Sequence, residues 1–85
     1  MDVIFKALSD KNRRQILQIL KKKDMTVTEI SQYFDITGAS LSHHLNVLKN
    51  ARLVISQRQG QYLRYSLNVS VFEESAKILF DLLKK

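Results

Sequence analysis

Residues 26–50 read TVTEISQYFDITGASLSHHLNVLKN, and the fold is decided within this stretch. Thr26 and Glu29 form a capping-box pair, a hydroxyl followed three residues later by a carboxylate, which predicts the start of a short helix. A tight turn ends at Thr37, a second N-cap residue, which predicts a longer helix after it. Two short helices joined by so brief a turn are typical of a helix-turn-helix motif, placed here at about residues 27–50.

The longer helix, from about Gly38 to Asn50, has two distinct faces at about 100° per residue. The residues expected to face the core on the two helices are Val27, Ile30, Tyr33, Phe34, Leu41, Leu45 and Leu48. The opposite face begins with small and polar groups, which suits close approach to base edges in a major groove. The DNA contacts predicted from this pattern are Thr37, Gly38, Ala39, Ser42, His43 and Asn46. A polar face that meets only water is the alternative interpretation.

A β-hairpin is predicted after this motif, because the apolar pattern changes to period two over residues 54–67 and Gly60 interrupts it. A helix-turn-helix followed by a hairpin is a winged helix. Arginine and glutamine side chains around the turn can reach phosphates or the minor groove, whereas a solvated turn more often holds aspartate or asparagine. The predicted wing contacts are Arg58, Gln59, Gln61 and Arg64.

The terminal helices, at about residues 2–8 and 71–84, are apolar over more than one stripe. Ser70 and Glu73 form another predicted capping box at the start of the last helix. Twofold dimerisation would bury the excess apolar surface and would space two recognition helices for a palindromic site. The predicted dimer contacts are Val3, Ile4, Phe5, Phe72, Ile78, Leu79, Leu82 and Leu83. A membrane-surface helix is the alternative, but the polar face of the last helix carries both signs of charge.

The predicted fold class is therefore mainly α with a small β-hairpin (α+β), in the order of four helices, two strands and a fifth helix. From this length we expect one domain over residues 1–85. Fourteen basic and eight acidic residues give a net charge of +6, which favours a polyanionic partner such as double-stranded DNA. No apolar stretch is long enough to insert in a membrane and no signal peptide is visible, so a cytoplasmic location is expected.

The chain contains no cysteine, which excludes disulfides, thiolate metal sites and a cysteine nucleophile. His43 and His44 diverge by about 100° on one helix, too far to share a metal ion unaided. No Ser-His-Asp set, paired carboxylates or phosphate loop stands out, so no enzyme activity and no cofactor or metal are expected.

Several stretches together resemble the ArsR family of bacterial repressors over nearly the whole chain. They are FKALSD at 5–10 with NRRQIL at 12–17, LSHHLNVL at 41–48, and RQGQY at 58–62 with YSL at 65–67. Lys11 departs from the pattern, since the family often has proline there. The resemblance implies a dimeric winged-helix repressor of imperfect inverted repeats. It also implies base or backbone contacts by Ser42 and His43, with Ala39 and Ser40 near the start of the recognition helix.

Within that family the chain looks like the SdpR-like branch, which lacks metal-binding cysteines. The family's other common metal site uses histidines on the last helix, where this chain has none. The resemblance also leaves open control by a regulatory protein partner that sequesters the repressor. A winged-helix module that binds only proteins is an alternative function, and so is binding of structured RNA, for which stacking aromatics are sparse.

Overall fold

Among residues 2–84, which the computed structural model describes, five helices and three strands follow one another along the chain. They are α1 (Asp2–Leu8), α2 (Lys11–Lys22), β1 (Met25–Thr26), α3 (Val27–Ser31), α4 (Gly38–Asn50), β2 (Val54–Gln59), β3 (Tyr62–Leu67) and α5 (Val69–Leu83). The predicted α+β class and the predicted order of four helices, a hairpin and a fifth helix are confirmed.

The sheet has one strand more than the predicted hairpin. Its order is β1-β3-β2 with antiparallel pairing throughout, so β3 lies in the middle. β1 pairs Met25 with Tyr65, and both side chains are buried in the core. A strand of two residues is too short to show a period in the sequence, and only the pairing with β3 defines it.

The hairpin formed by β2 and β3, called the wing from here on, turns through Gly60 and Gln61. Gln59 and Tyr62 are the last paired residues, and φ is positive at Gly60, at 63°. A positive φ at the first of two loop residues is the pattern of a type II′ turn, which glycine adopts without steric cost. The predicted turn near Gly60 is therefore confirmed.

One hydrophobic core joins α2, α3, α4 and the sheet, and the leucine stripe predicted on α4 is buried within it. The expectation that Tyr33 faces inward is wrong, because this side chain is 53% exposed. The reason is that α3 ends at Ser31, so the helical spacing that placed Tyr33 beside Ile30 does not continue that far.

The helix α4 ends in a Schellman motif. The Arg52 amide donates to the Lys49 carbonyl and the Leu53 amide donates to the Leu48 carbonyl. Arg52 has a φ of 62° at the left-handed position where glycine is common. Leu48 and Leu53 are both fully buried, so the hydrophobic contact that accompanies this motif directs the chain into β2.

The predicted capping box at Ser70 is wrong. The last helix already begins at Val69, and its N-cap is Asn68, whose side chain makes no capping hydrogen bond. The Asn68 amide instead donates to the Leu53 carbonyl, which holds the end of β3 beside the start of β2. The helix therefore starts where the sheet ends, two residues earlier than the local pattern suggested.

Candidate nucleic-acid interface

The first turn of α4 is set by Thr37. The Ser40 amide donates to the Thr37 hydroxyl oxygen at 3.0 Å, and the Leu41 amide donates to the Thr37 carbonyl. The predicted N-cap is therefore confirmed, and its hydroxyl oxygen is engaged within the protein. The amides before Ser40 point out of the helix end, where the helix dipole favours an anion such as a phosphate.

The face of α4 opposite the leucines is open to solvent along most of its length. Gly38, Ala39, Ser42, His43 and Asn46 are exposed, as predicted for groove contacts, and Ser40 is half-buried. No heavy atom outside the local backbone lies within 4 Å of the place where a Cβ would project from Gly38. Small side chains at this end leave the helix backbone accessible to a groove.

His44, next along from His43, belongs to the core side of α4. The residue is 7% exposed, and its Nδ1 lies 3.2 Å from Nη1 of Arg13 on α2. Because a guanidinium group only donates hydrogen bonds, this contact places the lone pair of a neutral imidazole on Nδ1. This geometry gives His44 a structural role between α4 and α2.

Arg13 also connects α4 to α1. Its Nε donates to the Ala7 carbonyl at 2.7 Å, and its Nη2 donates to the Lys6 carbonyl at 3.1 Å. These carbonyls belong to the last turn of α1, where the Lys6 carbonyl also accepts the amide and the hydroxyl of Ser9. Sequence reasoning did not single out Arg13, because its partner His44 is 31 positions away.

Asp10 closes the same cluster from the start of α2. Its carboxylate accepts the amides of Asn12 and Arg13, so Asp10 is the N-cap. Partial burial raises the pKa of the Asp10 carboxyl, but these two amide hydrogen bonds, with the nearby charges, outweigh it and leave the pKa below 3.8. Asp10 is consequently a carboxylate at neutral pH and stabilises the positive end of the α2 dipole.

The predicted wing contacts divide between the two faces of the hairpin. Arg58 lies directly opposite Leu63, and Arg58 and Gln61 line a cleft of about 250 Å³ beside Thr28 at the start of α3. Gln59 lies on the other face, where its Oε1 accepts a hydrogen bond from Arg64 at 2.9 Å. Arg58 and Gln61 therefore share this cleft with the start of the helix-turn-helix.

The terminal helices expose the apolar surface predicted for dimerisation. Ile4 and Phe72 are half-buried, and the other predicted contacts are exposed. Leu82 and Leu83 are 76% and 82% exposed. Within the single chain described, α5 has no buried residue, so its apolar side chains gain little from the fold of one copy.

The described part of the chain has neither a metal-ligand cluster nor a membrane-spanning helix. No three histidine or acidic side chains of residues 2–84 are grouped so that they could hold a metal ion. No helix in that range is both long and apolar enough to span a bilayer.

A helix-turn-helix whose second helix exposes small polar side chains, with a basic hairpin beside it, defines a winged-helix DNA-binding protein. Residues 10–56 match the family model described as "Bacterial regulatory protein, arsR family", which is more than half of the chain. The chain therefore belongs to the ArsR family, as its sequence motifs suggested. The family consists of transcriptional regulators and not of enzymes.

Named relatives agree with this assignment. The transcriptional repressor SdpR of Bacillus subtilis (strain 168) is 44% identical over 85 residues, which cover 100% of this chain and 94% of that protein. The arsenical resistance operon repressor of the same organism is 35% identical over 65 residues, covering 75% and 62%. An ArsR-like transcriptional regulator from Rhodococcus sp. RHA1 has a TM-score of 0.87 at 27% identity, covering 95% and 76%. The chain is thus a DNA-binding transcriptional regulator.

Proposed function

We propose that the protein is a homodimeric repressor that binds an inverted-repeat operator in double-stranded DNA without needing a metal ion. The observation that carries this proposal is the exposed face of α4, where Ser42, His43 and Asn46 stand opposite three buried leucines. A helix fixed to the core by one face and polar on the other matches the recognition helix of a major-groove reader. The repressor names of two relatives support repression rather than activation.

Dimerisation is proposed through α1 and α5. The exposed apolar side chains on these helices form a surface that water solvates poorly, and a second copy offers the same surface in return. A twofold axis there would place two copies of α4 on the same side of the assembly. The operator would then have two half-sites, spaced by about one turn of the double helix.

Metal independence is supported by the ligands that the chain lacks. It has no cysteine, and both of its histidines lie on α4. One of them, His44, is already bonded to Arg13. The carboxylates of α5 therefore have no histidine beside them on that helix to complete a zinc site. As a regulator that acts on the chromosome, the protein is proposed to work in the cytoplasm.

The test is DNA binding by the full chain across a salt series, with the promoter fragment of its own gene compared with random DNA. Each titration is run with a chelator and again with zinc. The proposal predicts chelator-resistant binding with a specificity ratio on the order of 10³ or more. Equal affinity for all DNA would contradict operator recognition and would favour the protein-binding module, and a change caused by zinc alone would contradict metal independence. If binding is specific, control by a partner protein is the next hypothesis to test.

A further inference from the structure

Arg64, in the middle strand β3, has three partners on three different parts of the chain. Its Nε donates to Gln59 Oε1 of β2 at 2.9 Å. Its Nη1 donates to the Asp24 carbonyl, just before β1, at 3.2 Å. Its Nη2 lies 3.9 Å from Glu29 Oε1 on α3, and the Arg64 side chain is only 36% exposed. Each nitrogen of the guanidinium group therefore faces its own acceptor.

The acceptors on the helix-turn-helix side are themselves held in place. Glu29 Oε1 accepts the Thr26 amide at 2.9 Å, while the Glu29 amide donates to the Thr26 hydroxyl oxygen at 3.2 Å. The Thr26 amide and hydroxyl lower the pKa of the Glu29 carboxyl, and the nearby charges of Arg64 and Lys23 lower it further. Glu29 is consequently an ionised and oriented carboxylate at neutral pH, fixed to the first turn of α3.

The backbone pairing between the wing and the segment just before α3 is short. β1 contributes two residues to the sheet, and Arg64 is the partner of Thr26 in that pairing. The wing extends beyond this point to its turn at Gly60, carrying Arg58 and Gln61 on the surface shared with α3. Beyond β1 the wing has only two strands, and an isolated two-stranded hairpin is marginally stable in water. A side-chain contact that ties the wing to α3 would therefore help to order it.

We propose that Arg64 is a positioning residue, and that its hydrogen bonds to Gln59 and the Asp24 carbonyl, with its ion pair to Glu29, set the angle of the wing relative to the helix-turn-helix. This wing brace acts on DNA through Arg58 and Gln61, which it holds beside α3. Gln59 then serves the brace, since its amide oxygen is occupied by Arg64. The inference rests on the proposed operator binding and adds the device that orients the wing on it.

The first test compares operator binding by Arg64→Gln, Arg64→Lys and Glu29→Gln. Lys11→Gln is the control, since exposed Lys11 on α2 also loses one positive charge. Both Arg64 variants should bind roughly threefold to tenfold more weakly than the control, since neither side chain reproduces the three-way fork. Glu29→Gln should also weaken binding, although removing a negative charge near DNA would otherwise strengthen it. Glutamine preserves the capping box, so α3 should remain folded.

A direct phosphate contact by Arg64 would give different results. Arg64→Lys would then bind nearly as well as the wild type, and Glu29→Gln would bind more tightly. In an Arg58→Ala, Gln61→Ala background, the positioning role predicts less than about a twofold further loss from Arg64→Gln, because both contacts that the brace serves are already gone. A full additional loss in that background would overturn the proposal.

Hydrogen exchange in the free protein tests the brace without DNA. In Arg64→Gln and Glu29→Gln, the amides of residues 57–63 should exchange faster, while those of α4 keep their wild-type rates. Unchanged exchange in the wing would overturn the inference. If the wild-type protein showed no preference for its operator, the proposed function would fail. Hydrogen exchange in the free protein would still test whether Arg64 and Glu29 order the wing.

Discussion

Two adjacent histidines on α4 have opposite surroundings. His44 is nearly buried and contacts Arg13, whereas His43 is exposed beside it, with 5.7 Å between the ring centroids. Successive helical residues point about 100° apart, so one side chain joins the core while its neighbour remains free for a groove. Arg13 then links this turn of the recognition helix to the last turn of α1, the helix proposed for dimerisation.

Replacing Arg13 by methionine should lower the free energy of unfolding by about 2–3 kcal/mol, because three hydrogen bonds of one charged group are lost, two of them partly buried. Urea denaturation measures this change. Arg14→Met is the matched control, since Arg14 makes one such bond, from Nη1 to the Leu8 carbonyl, and is exposed. It should cost about 1 kcal/mol or less. Equal losses in the two variants would show that the Arg13 cluster adds no stability of its own.

The lowered pKa of Asp10 predicts how the free energy of unfolding depends on pH. Its pKa is lower in the folded protein than the 3.8 of an unperturbed carboxyl, so the unfolded chain binds the proton first as the pH falls. The stabilisation by the Asp10 carboxylate is therefore complete above the pKa that Asp10 has in the unfolded chain. It is lost as the pH falls through the lower pKa that Asp10 has in the folded protein. Asp10→Asn keeps a capping side chain but has no charge to titrate.

The free-energy difference between wild type and Asp10→Asn should consequently be constant near neutral pH and should shrink below about pH 4. Urea unfolding at a series of pH values measures it. A difference that stays the same down to about pH 3 would mean that the Asp10 charge does not contribute.

The helix α4 is capped at both ends. Thr37 caps its first turn, and the Schellman motif at Arg52 closes its last. Three leucines fix the inner face between these ends, so the position of the outer face is determined by the core. A recognition surface built this way is presented to DNA already ordered, which avoids an entropy cost on binding.

His43→Ala should weaken operator binding by about 1–3 kcal/mol if the imidazole reads a base edge, with a smaller effect on random DNA. Competition titrations on both kinds of DNA measure the two losses. Asn50→Ala is the control, because exposed Asn50 lies at the far end of the same helix. Equal losses for operator and random DNA would instead assign His43 to the phosphate backbone.

The whole molecule is elongated, with principal extents of 48 × 24 × 20 Å. Contacts of α5 with the rest of the chain bury none of its residues, although much of its sequence is apolar. Burial of apolar area is the main favourable term in folding and association. Val71 and Phe72 pack against the core of one copy, and the exposed apolar side chains of the helix would gain burial from the second copy that we propose. The proposed dimer would bury the apolar surface that a single copy leaves exposed.

A charge placed on this surface should dissociate the dimer. Leu79→Asp and Leu82→Asp should halve the mass measured by sedimentation and weaken operator binding strongly, because two half-sites would no longer be bound together. Leu82 is 76% exposed, so its variant should keep the monomer fold. Ser70→Asp adds the same charge to an exposed position on α5 and should leave the mass unchanged. An unchanged mass in both leucine variants would place the interface elsewhere.

The features that the sequence determined by itself are local. The caps at Thr26 and Thr37, the leucine stripe of α4 and the turn at Gly60 each depend on residues at most a few positions apart, and each is present in the structure. The motifs of the ArsR family likewise identified the class of protein. Hydrogen bonds within a turn of helix and between hairpin strands are encoded by near neighbours.

Only the tertiary structure decided the features that join distant parts of the chain. The bond from Arg64 to the Asp24 carbonyl spans 40 positions, and the Arg13–His44 contact spans 31. The amide of Asn68 bonds to the Leu53 carbonyl, just before β2, and α5 starts directly after it at Val69 instead of at the local cap predicted at Ser70. Such contacts form only after the core has placed the helices and the sheet against each other. Their partners therefore cannot be read from spacing, and they determine how the wing and the recognition helix are held.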